Sequence, residues 1–331
     1  MTRCDHSLQL TPQSRAVLAV AKKPNANYQP FIHTAREEIL LPVHPGAEAA
    51  AVVLAEAVLI NGGLMEFSGK NILISGGSSG IGLALAKKFV YLNANVTILA
   101  RDKKKLRSAF KTLQSIKISD QQKLHWISAD VSQFNRLKSK LNHQNDHIDI
   151  LINSAGEAYP GKFNDLPAEI FKQLIEINYL GTVYLTKIVA PQMIARKNGH
   201  IVIISSMAAL IGIYGYTAYA STKYALRGFS KCLRSELKPH GVDVSIVYPP
   251  DTDTPQLSFE RSIMPEITRK INQGGGVMSA EKVAEIIVNG IVKKRFTILP
   301  GFESKILHKF APLFDRYFYH YAKSLAKKDL K

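Results

Sequence analysis

A chain of 331 residues, 46% of them hydrophobic, can bury one large core, or one core with an appendage. Two cysteines, Cys4 and Cys232, exclude a disulfide-stapled scaffold and a cysteine-rich metal site, and point to a reducing, intracellular compartment. A net charge of +17 asks for an anionic partner: nucleic acid, an anionic membrane or a phosphate-bearing cofactor.

Residues 1–64 hold five Lys/Arg and five Asp/Glu, so the whole charge excess lies in 65–331. Pro24, Pro30, Pro42 and Pro45 punctuate this segment, and only the run from Ala47 to Ile60 has helical character. It is expected to be a poorly structured extension, with Met65 as an alternative start. Its best apolar run, Ala49–Ile60, has twelve residues and contains Glu56, too short for a transmembrane helix. The first residues lack the basic-then-apolar order of a signal peptide.

From Asn71 short β-rich runs alternate with longer helical patterns. The predicted strands are Asn71–Ser75, Asn95–Ala100, Lys123–Ser128, Ile148–Asn153, His200–Ser205, Asp243–Val247 and Phe296–Leu299. Most are nearly continuous in Ile, Val and Leu, the pattern of strands covered on both faces. The intervening segments are mostly long enough for crossover helices. The expected fold is α/β, a Rossmann-type doubly wound parallel sheet of about seven strands with helices on both faces, over 65–300.

A glycine-rich turn, Gly76-x3-Gly80-x-Gly82, follows the first predicted strand and opens the first predicted helix. In that context glycines let backbone N–H groups approach a pyrophosphate at a helix N-terminus, and Ser78 and Ser79 add hydroxyl donors. The same residues, Gly76 to Gly80, fit the G-x-S-x-G elbow of serine hydrolases. That reading leaves Gly82 unexplained and finds no histidine in an evident triad context. Arg101, followed by Lys103, Lys104 and Lys105, closes the second strand where an NAD site places an acid, so a 2′-phosphate and NADPH are favoured. Asp130 closes the third strand as a candidate adenine partner. Asn153 and Gly156 close the fourth, near the cofactor ribose.

Tyr219 stands four residues before Lys223 and thirteen after Ser206, which ends the fifth strand. With thirteen tyrosines, about one chance Tyr-x3-Lys is expected, and Tyr319–Lys323 is such a match, with Ile306 in place of the serine. Tyr219 and Lys223 share a helix face, so the ammonium is expected to draw the phenol's pKa from about 10 toward working pH. Tyr219 then protonates a carbonyl oxygen as hydride reaches its carbon, Ser206 hydrogen-bonds that oxygen, and Lys223 also reaches the nicotinamide ribose. Asn178, in a long helical pattern, is the candidate holder of a relay water against Lys223. The alternative is a helix-interior Asn bonded to nearby backbone.

The last segment, Lys293–Lys331, has ten Lys/Arg and three acids. Ile306, Phe310, Phe314, Tyr317, Tyr321 and Leu325 recur at helical spacing, so 301–331 reads as a basic amphipathic tail. It is expected to pack on the domain or a second subunit, to contact a membrane interface, or to cover a lipid-like substrate.

Ser75–Gly82, Asn153–Gly156, Asn178, Ser206 and Tyr219–Lys223 together resemble the short-chain dehydrogenase/reductase superfamily over roughly 68–300. Ser154 departs from that family's usual second Asn, and Pro250 from the Gly that commonly follows Pro249. Gly161-Lys162-Phe163, Ile177–Gly181 and Tyr248–Pro255 resemble more narrowly the 3-ketodihydrosphingosine reductases. That resemblance implies NADPH-dependent reduction of 3-ketosphinganine to sphinganine at the cytosolic face of a membrane, the endoplasmic reticulum in a eukaryote. It implies NADPH contacts from Gly76, Ser78, Ser79, Gly80, Arg101, Lys105 and Asp130, with Thr254 at the nicotinamide carboxamide, and a homo-oligomer. Animal members carry membrane-spanning segments, which this chain does not show; the tail is then a peripheral substitute. The alternatives are a reductase of another lipophilic ketone (steroid, retinoid or acyl) and, from another class, a non-catalytic NADP(H)- or nucleic-acid-binding protein.

Overall fold

The computed structural model describes residues 66–329, apart from 143–145 and 274. The extension expected over 1–64, with its Ala-rich helix and the Met65 start, lies outside the described residues. In chain order the strands are β1 (Asn71–Ser75), β2 (Asn95–Ala100), β3 (Leu124–Ser128), β4 (Ile150–Asn153), β5 (Gly199–Ile204), β6 (Val242–Val247), β7 (Thr252–Asp253), β8 (Met278–Ser279) and β9 (Thr297–Ile298). The helices are α1 (Gly80–Tyr91), α2 (Lys103–Ser115), α3 (Phe134–Asn142), α4 (Ala168–Leu174), α5 (Gly181–Arg196), α6 (Thr217–Leu237), α7 (Pro255–Ile263), α8 (Glu266–Asn272), α9 (Ala280–Val292) and α10 (Gly301–Asp329). A π-helical turn, Ile175–Leu180, joins α4 to α5.

Seven strands form one sheet in the order β3-β2-β1-β4-β5-β6-β9, and every neighbouring pair is parallel. All seven expected strands are present. The short ribbon β7-β8 is an addition: its two-residue strands carry no periodicity to read. Every residue of β5 and β6 is buried, as continuous apolar runs require when helices cover both faces. Leu73, Leu99, Leu151, Ile201 and Val244 pack with Leu185 and Met193 of α5 and Leu226 of α6. Each such side chain contributes roughly 1.5–3 kcal/mol by leaving water. Ile72, Ile74 and Ile98 are equally buried, and α1 packs on these two strands.

The register sets up the site. Ser75 lies opposite Asn153, and Asn153 opposite Ile203, so the carboxyl ends of β1, β4 and β5 form one edge. The strand order reverses between β1 and β4, and ligands of open α/β sheets bind outside the carboxyl ends at such a point.

Helix α10 carries the expected tail, with a different face buried. Leu307 and Ala311 join a core cluster with Ile246 and Tyr248, and Phe314 and Phe318 pack against it. Phe310 and Tyr317 of the expected stripe are exposed. The helix is also broken at Phe310, whose φ/ψ is −118°/24°, two residues before Pro312. Proline removes a donor and crowds the preceding turn, which accounts for the break. Among the described residues no helix is long and apolar enough to cross a membrane.

Candidate active site

A cavity of about 1200 Å³ opens along the carboxyl edge of the sheet. One part is lined by Gly76, Ser78, Ser79, Gly80 and Gly82, with Arg101 and Lys105 beside them. Gly76 has φ +70°, and a Cβ there would lie 2.7 Å from the Ser154 carbonyl oxygen. A side chain at Gly82 would strike the Gly76 carbonyl at 2.3 Å. The turn is therefore as tight as its glycines allow, and helix α1 starts against the floor of the cavity. Ser79, the N-cap of α1, makes no side-chain cap, and the first turn holds no acid. The leading N–H groups are thus left for an anion. These residues fit the pyrophosphate of a dinucleotide. No histidine lines the cavity among the described residues, so Ser78 has no hydrolase base beside it.

Arg101 forms an ion pair with Glu157 across the cavity. An acid does stand next to it: Asp102 accepts from the Lys104 and Lys105 backbone N–H groups at 2.8 and 3.0 Å as the N-cap of α2. The Lys105 N–H, followed by the Lys104 N–H and both lysine charges, holds its carboxyl below the usual range. The cap also explains how a lysine-rich sequence starts this helix.

Two expected cofactor residues, Asn153 and Asp130, sit differently. Asn153 is 2% exposed and does not line the cavity; its amide donates to Thr186 Oγ1 at 3.3 Å, beneath the edge. Its neighbours Ser154, Ala155 and Gly156 line the cavity instead. Asp130 is turned aside, with one carboxylate oxygen accepting from the Ser132 N–H at 2.9 Å and Ser132 Oγ at 2.8 Å. Thr254 lines the cavity while capping α7 through the Leu257 N–H, at 3.3 Å.

Ser206, Tyr219 and Lys223 line the same cavity. Ser206 Oγ accepts from the Ala208 N–H at 3.1 Å, capping the turn Met207–Ala209. That contact leaves the hydroxyl proton to donate, and the side chain also hydrogen-bonds Tyr219. Tyr219 and Lys223 lie one turn apart on α6, with Lys223 Nζ 5.5 Å from the phenol ring centre. Lys223 Nζ donates to the Ile204 carbonyl at 3.1 Å. Burial pushes Lys223 down to about 8, opposed by the negative charge of Glu260.

The phenol departs from expectation. Burial first, then the Glu260 and Asp251 charges, push the pKa of Tyr219 up rather than down, and the Ser206 hydrogen bond only partly offsets them. Lys223, itself desolvated, does not overcome this. Tyr219 is held as a proton-bearing acid.

Asn178 also departs from its expected role. It lies in the π-helical turn, where one extra residue per turn redirects side chains. Oδ1 accepts from the Glu157 N–H at 2.8 Å, while Nδ2 donates to the Glu157 carbonyl at 2.9 Å and to Thr222 Oγ1 at 3.0 Å. The side chain is thus committed to the Glu157 backbone and to Thr222. It positions the Gly156–Glu157 segment against α6: a Cβ on Gly156 would lie 3.3 Å from Asn178 Oδ1 and 3.5 Å from Lys223 Nζ.

Beyond Tyr219 the walls turn apolar, with Ile170, Leu174, Ile213, Phe259, Leu307 and Phe314. Glu157, Tyr216 and Glu260 also line the cavity and were not expected. Tyr216, three residues before Tyr219, had the helical spacing to be found; Glu260 is brought in by the fold alone.

The short chain dehydrogenase family model matches residues 70–262. The chain is 38% identical over 237 residues to the 3-dehydrosphinganine reductase of Danio rerio, covering 70% of this chain and 71% of that protein. It is 38% identical over 247 residues to the 3-ketodihydrosphingosine reductase of Bos taurus, covering 73% and 74%. A short-chain dehydrogenase from Sphingobium yanoikuyae, solved in complex with NADPH, superposes with a TM-score of 0.62 at 27% identity, covering 70% of this chain and 87% of that one. With its sheet order, glycine turn and Ser206–Tyr219–Lys223 set, the chain belongs to the short-chain dehydrogenase family.

Proposed function

We propose that this protein reduces 3-ketosphinganine to sphinganine with NADPH. The chain is a nicotinamide-dependent oxidoreductase acting on a keto or hydroxyl group. The observation that carries the substrate class is the continuity of Ser206, Tyr219 and Lys223 with a cavity walled by apolar residues of α4, α7 and α10. A long-chain ketone can place its carbonyl at Tyr219 and its alkyl chain along these walls. The names of the similar curated relatives support the specific ketone.

A bound nicotinamide supplies the hydride for the carbonyl carbon. Tyr219 gives its phenolic proton to the carbonyl oxygen, and Ser206 donates a hydrogen bond to it as negative charge develops. The Lys223 ammonium, held by Ile204, stabilises the phenolate left behind. Arg101 and Lys105, which line the cavity just after β2, offer cationic partners to a 2′-phosphate and so favour NADPH over NADH.

Peripheral attachment to a membrane is part of the same reading. On α10, Phe302 (74% exposed) and Leu313 (68%) stand with exposed Lys305, Lys309 and Arg316. Apolar and cationic side chains on one helix suit an anionic interface. A homo-oligomer, usual in this family, is retained as the expected assembly.

The test is NADPH consumption by purified protein in detergent micelles containing 3-ketosphinganine, beside NADH and a panel of steroid, retinoid and acyl ketones. Turnover that prefers NADPH and 3-ketosphinganine supports the reading. Turnover confined to a panel ketone would replace the substrate.

A further inference from the structure

The carboxyl group of Glu260 is out of keeping with its surroundings. Glu260 lies on α7, is 8% exposed, and lines the cavity together with Tyr219 and Lys223. Its direct partners are neutral: Oε2 accepts from Tyr216 Oη at 2.7 Å and Oε1 from Gln256 Nε2 at 2.9 Å. Among the described residues it makes no ion pair with Lys, Arg or His. Burial, and to a smaller extent the negative Asp251, raises its pKa; the two hydrogen bonds and the Lys223 charge oppose this. A buried carboxylate without a contacting cation is costly, and a neutral side chain would serve Tyr216 and Gln256 as well. Something else must reward the charge.

Position identifies it. Tyr216 connects Glu260 to the catalytic phenol, since the Tyr216 and Tyr219 ring centres are 5.7 Å apart. Glu260 and Tyr219 therefore lie on either side of Tyr216 on the wall of one cavity, which a ketone held at Tyr219 would share. The surface is strongly cationic at +17, so a cationic group entering this cavity needs a local anion. We propose that Glu260 is a specificity-determining residue that binds a protonated primary amine on the substrate carbon beside the ketone. This rests on the proposed reaction, whose substrate carries such an amine, and it explains how the enzyme tells an amino ketone from a plain one. A charge-assisted hydrogen bond to a buried carboxylate discriminates strongly against a ligand lacking the amine, because the carboxylate is then desolvated to no end.

The experiment compares 3-ketosphinganine with its des-amino and N-acetyl analogues, as ketones of equal chain length in the same micelles. Wild-type protein is expected to prefer the amine in kcat/KM by about tenfold or more. In Glu260→Gln that preference is expected to collapse, mainly through KM for the amine, with NADPH affinity by fluorescence titration retained. Equal use of the three ketones by wild type would overturn the proposal without any variant. So would an equal loss on all three in Glu260→Gln, which would mark Glu260 as a group acting only through Tyr219 and Lys223. If wild type reduces none of them, it is the proposed reaction that fails, and the amine site falls with it.

Discussion

Lys223 Nζ reaches from helix α6 to the carbonyl of Ile204, the last residue of β5, at 3.1 Å. That single bond fixes a buried ammonium one turn from the phenol of Tyr219. Because burial lowers Lys223 to about 8 from 10.5, the charged form is lost as pH rises through about 8. Reduction is expected to fall above that pH with the loss of one proton. The contribution to stability has the opposite sign: the unfolded chain holds this proton up to its ordinary pKa, so the penalty of the buried charge is relieved between about 8 and 10.5. Initial rates and thermal melts over that interval should diverge, activity down while the Lys223 contribution to stability rises.

Tyr219→Phe removes the proton donor and the hydrogen bond with Ser206. The expected loss in kcat is about 10²–10⁴-fold, with cofactor affinity preserved. Stopped-flow turnover and a cofactor titration on one preparation check both halves. Retained turnover would remove Tyr219 from the chemistry.

Asn178→Ala leaves the Glu157 N–H and carbonyl without their partners. These groups are half-buried, so losing the bonds is expected to cost about 1 kcal/mol each. Urea unfolding should show that loss together with reduced kcat, since Gly156 and Lys223 share the same contact region. A variant of undiminished stability would contradict the positioning role.

Arg101→Ala breaks a pair with Glu157 whose side chains are 51% and 30% exposed, worth at most about 1 kcal/mol, so melting should hardly change. The ratio of kcat/KM for NADPH over NADH is expected to drop about tenfold. An unchanged ratio would assign the choice of cofactor to other residues.

His200 is buried within β5, and Ser245 Oγ, 2.7 Å from Nε2, donates onward to the Arg295 carbonyl at 2.6 Å. Nε2 must therefore carry a proton and donate to Ser245 Oγ. Burial lowers His200 to about 4, partly opposed by Asp243. The folded state resists a proton that the unfolded chain takes up near 6.5, so stability should decline as pH falls from about 6.5 toward 4. The limiting slope is about 1.4 kcal/mol per pH unit. Melting temperatures should therefore fall more steeply from pH 6.5 to 4 for wild type than for His200→Gln.

The seven strands of the sheet were legible because each is a continuous apolar run between turn residues, a pattern that survives without tertiary context. Tyr219 and Lys223 were legible because one helix carries both at fixed spacing, and Ser206 because a strand end leads straight to the edge. The rest depends on which way a side chain turns once packed. Asn153 follows the strand alternation inward to Thr186, and Asp130 folds back on Ser132. Tyr219 was expected to gain from the ammonium, but desolvation and Glu260 outweigh it. Glu260 lies far from the motif in sequence and offers no spacing to read. In α10 the buried stripe is Leu307, Ala311, Phe314 and Phe318, itself a regular helical face but turned away from the expected one; the tail's apolar residues are numerous enough to offer both faces, and packing against Ile246 and Tyr248 selects one.

The most direct test of the account follows one atom. Purified protein would be given 3-ketosphinganine in micelles with NADPH deuterated at the transferable position, and the product examined by mass spectrometry beside the Tyr219→Phe variant. The account expects sphinganine carrying one deuterium on the carbinol carbon, formed by wild type and nearly absent with the variant. Unlabelled sphinganine, or equal yields from the two proteins, would contradict it.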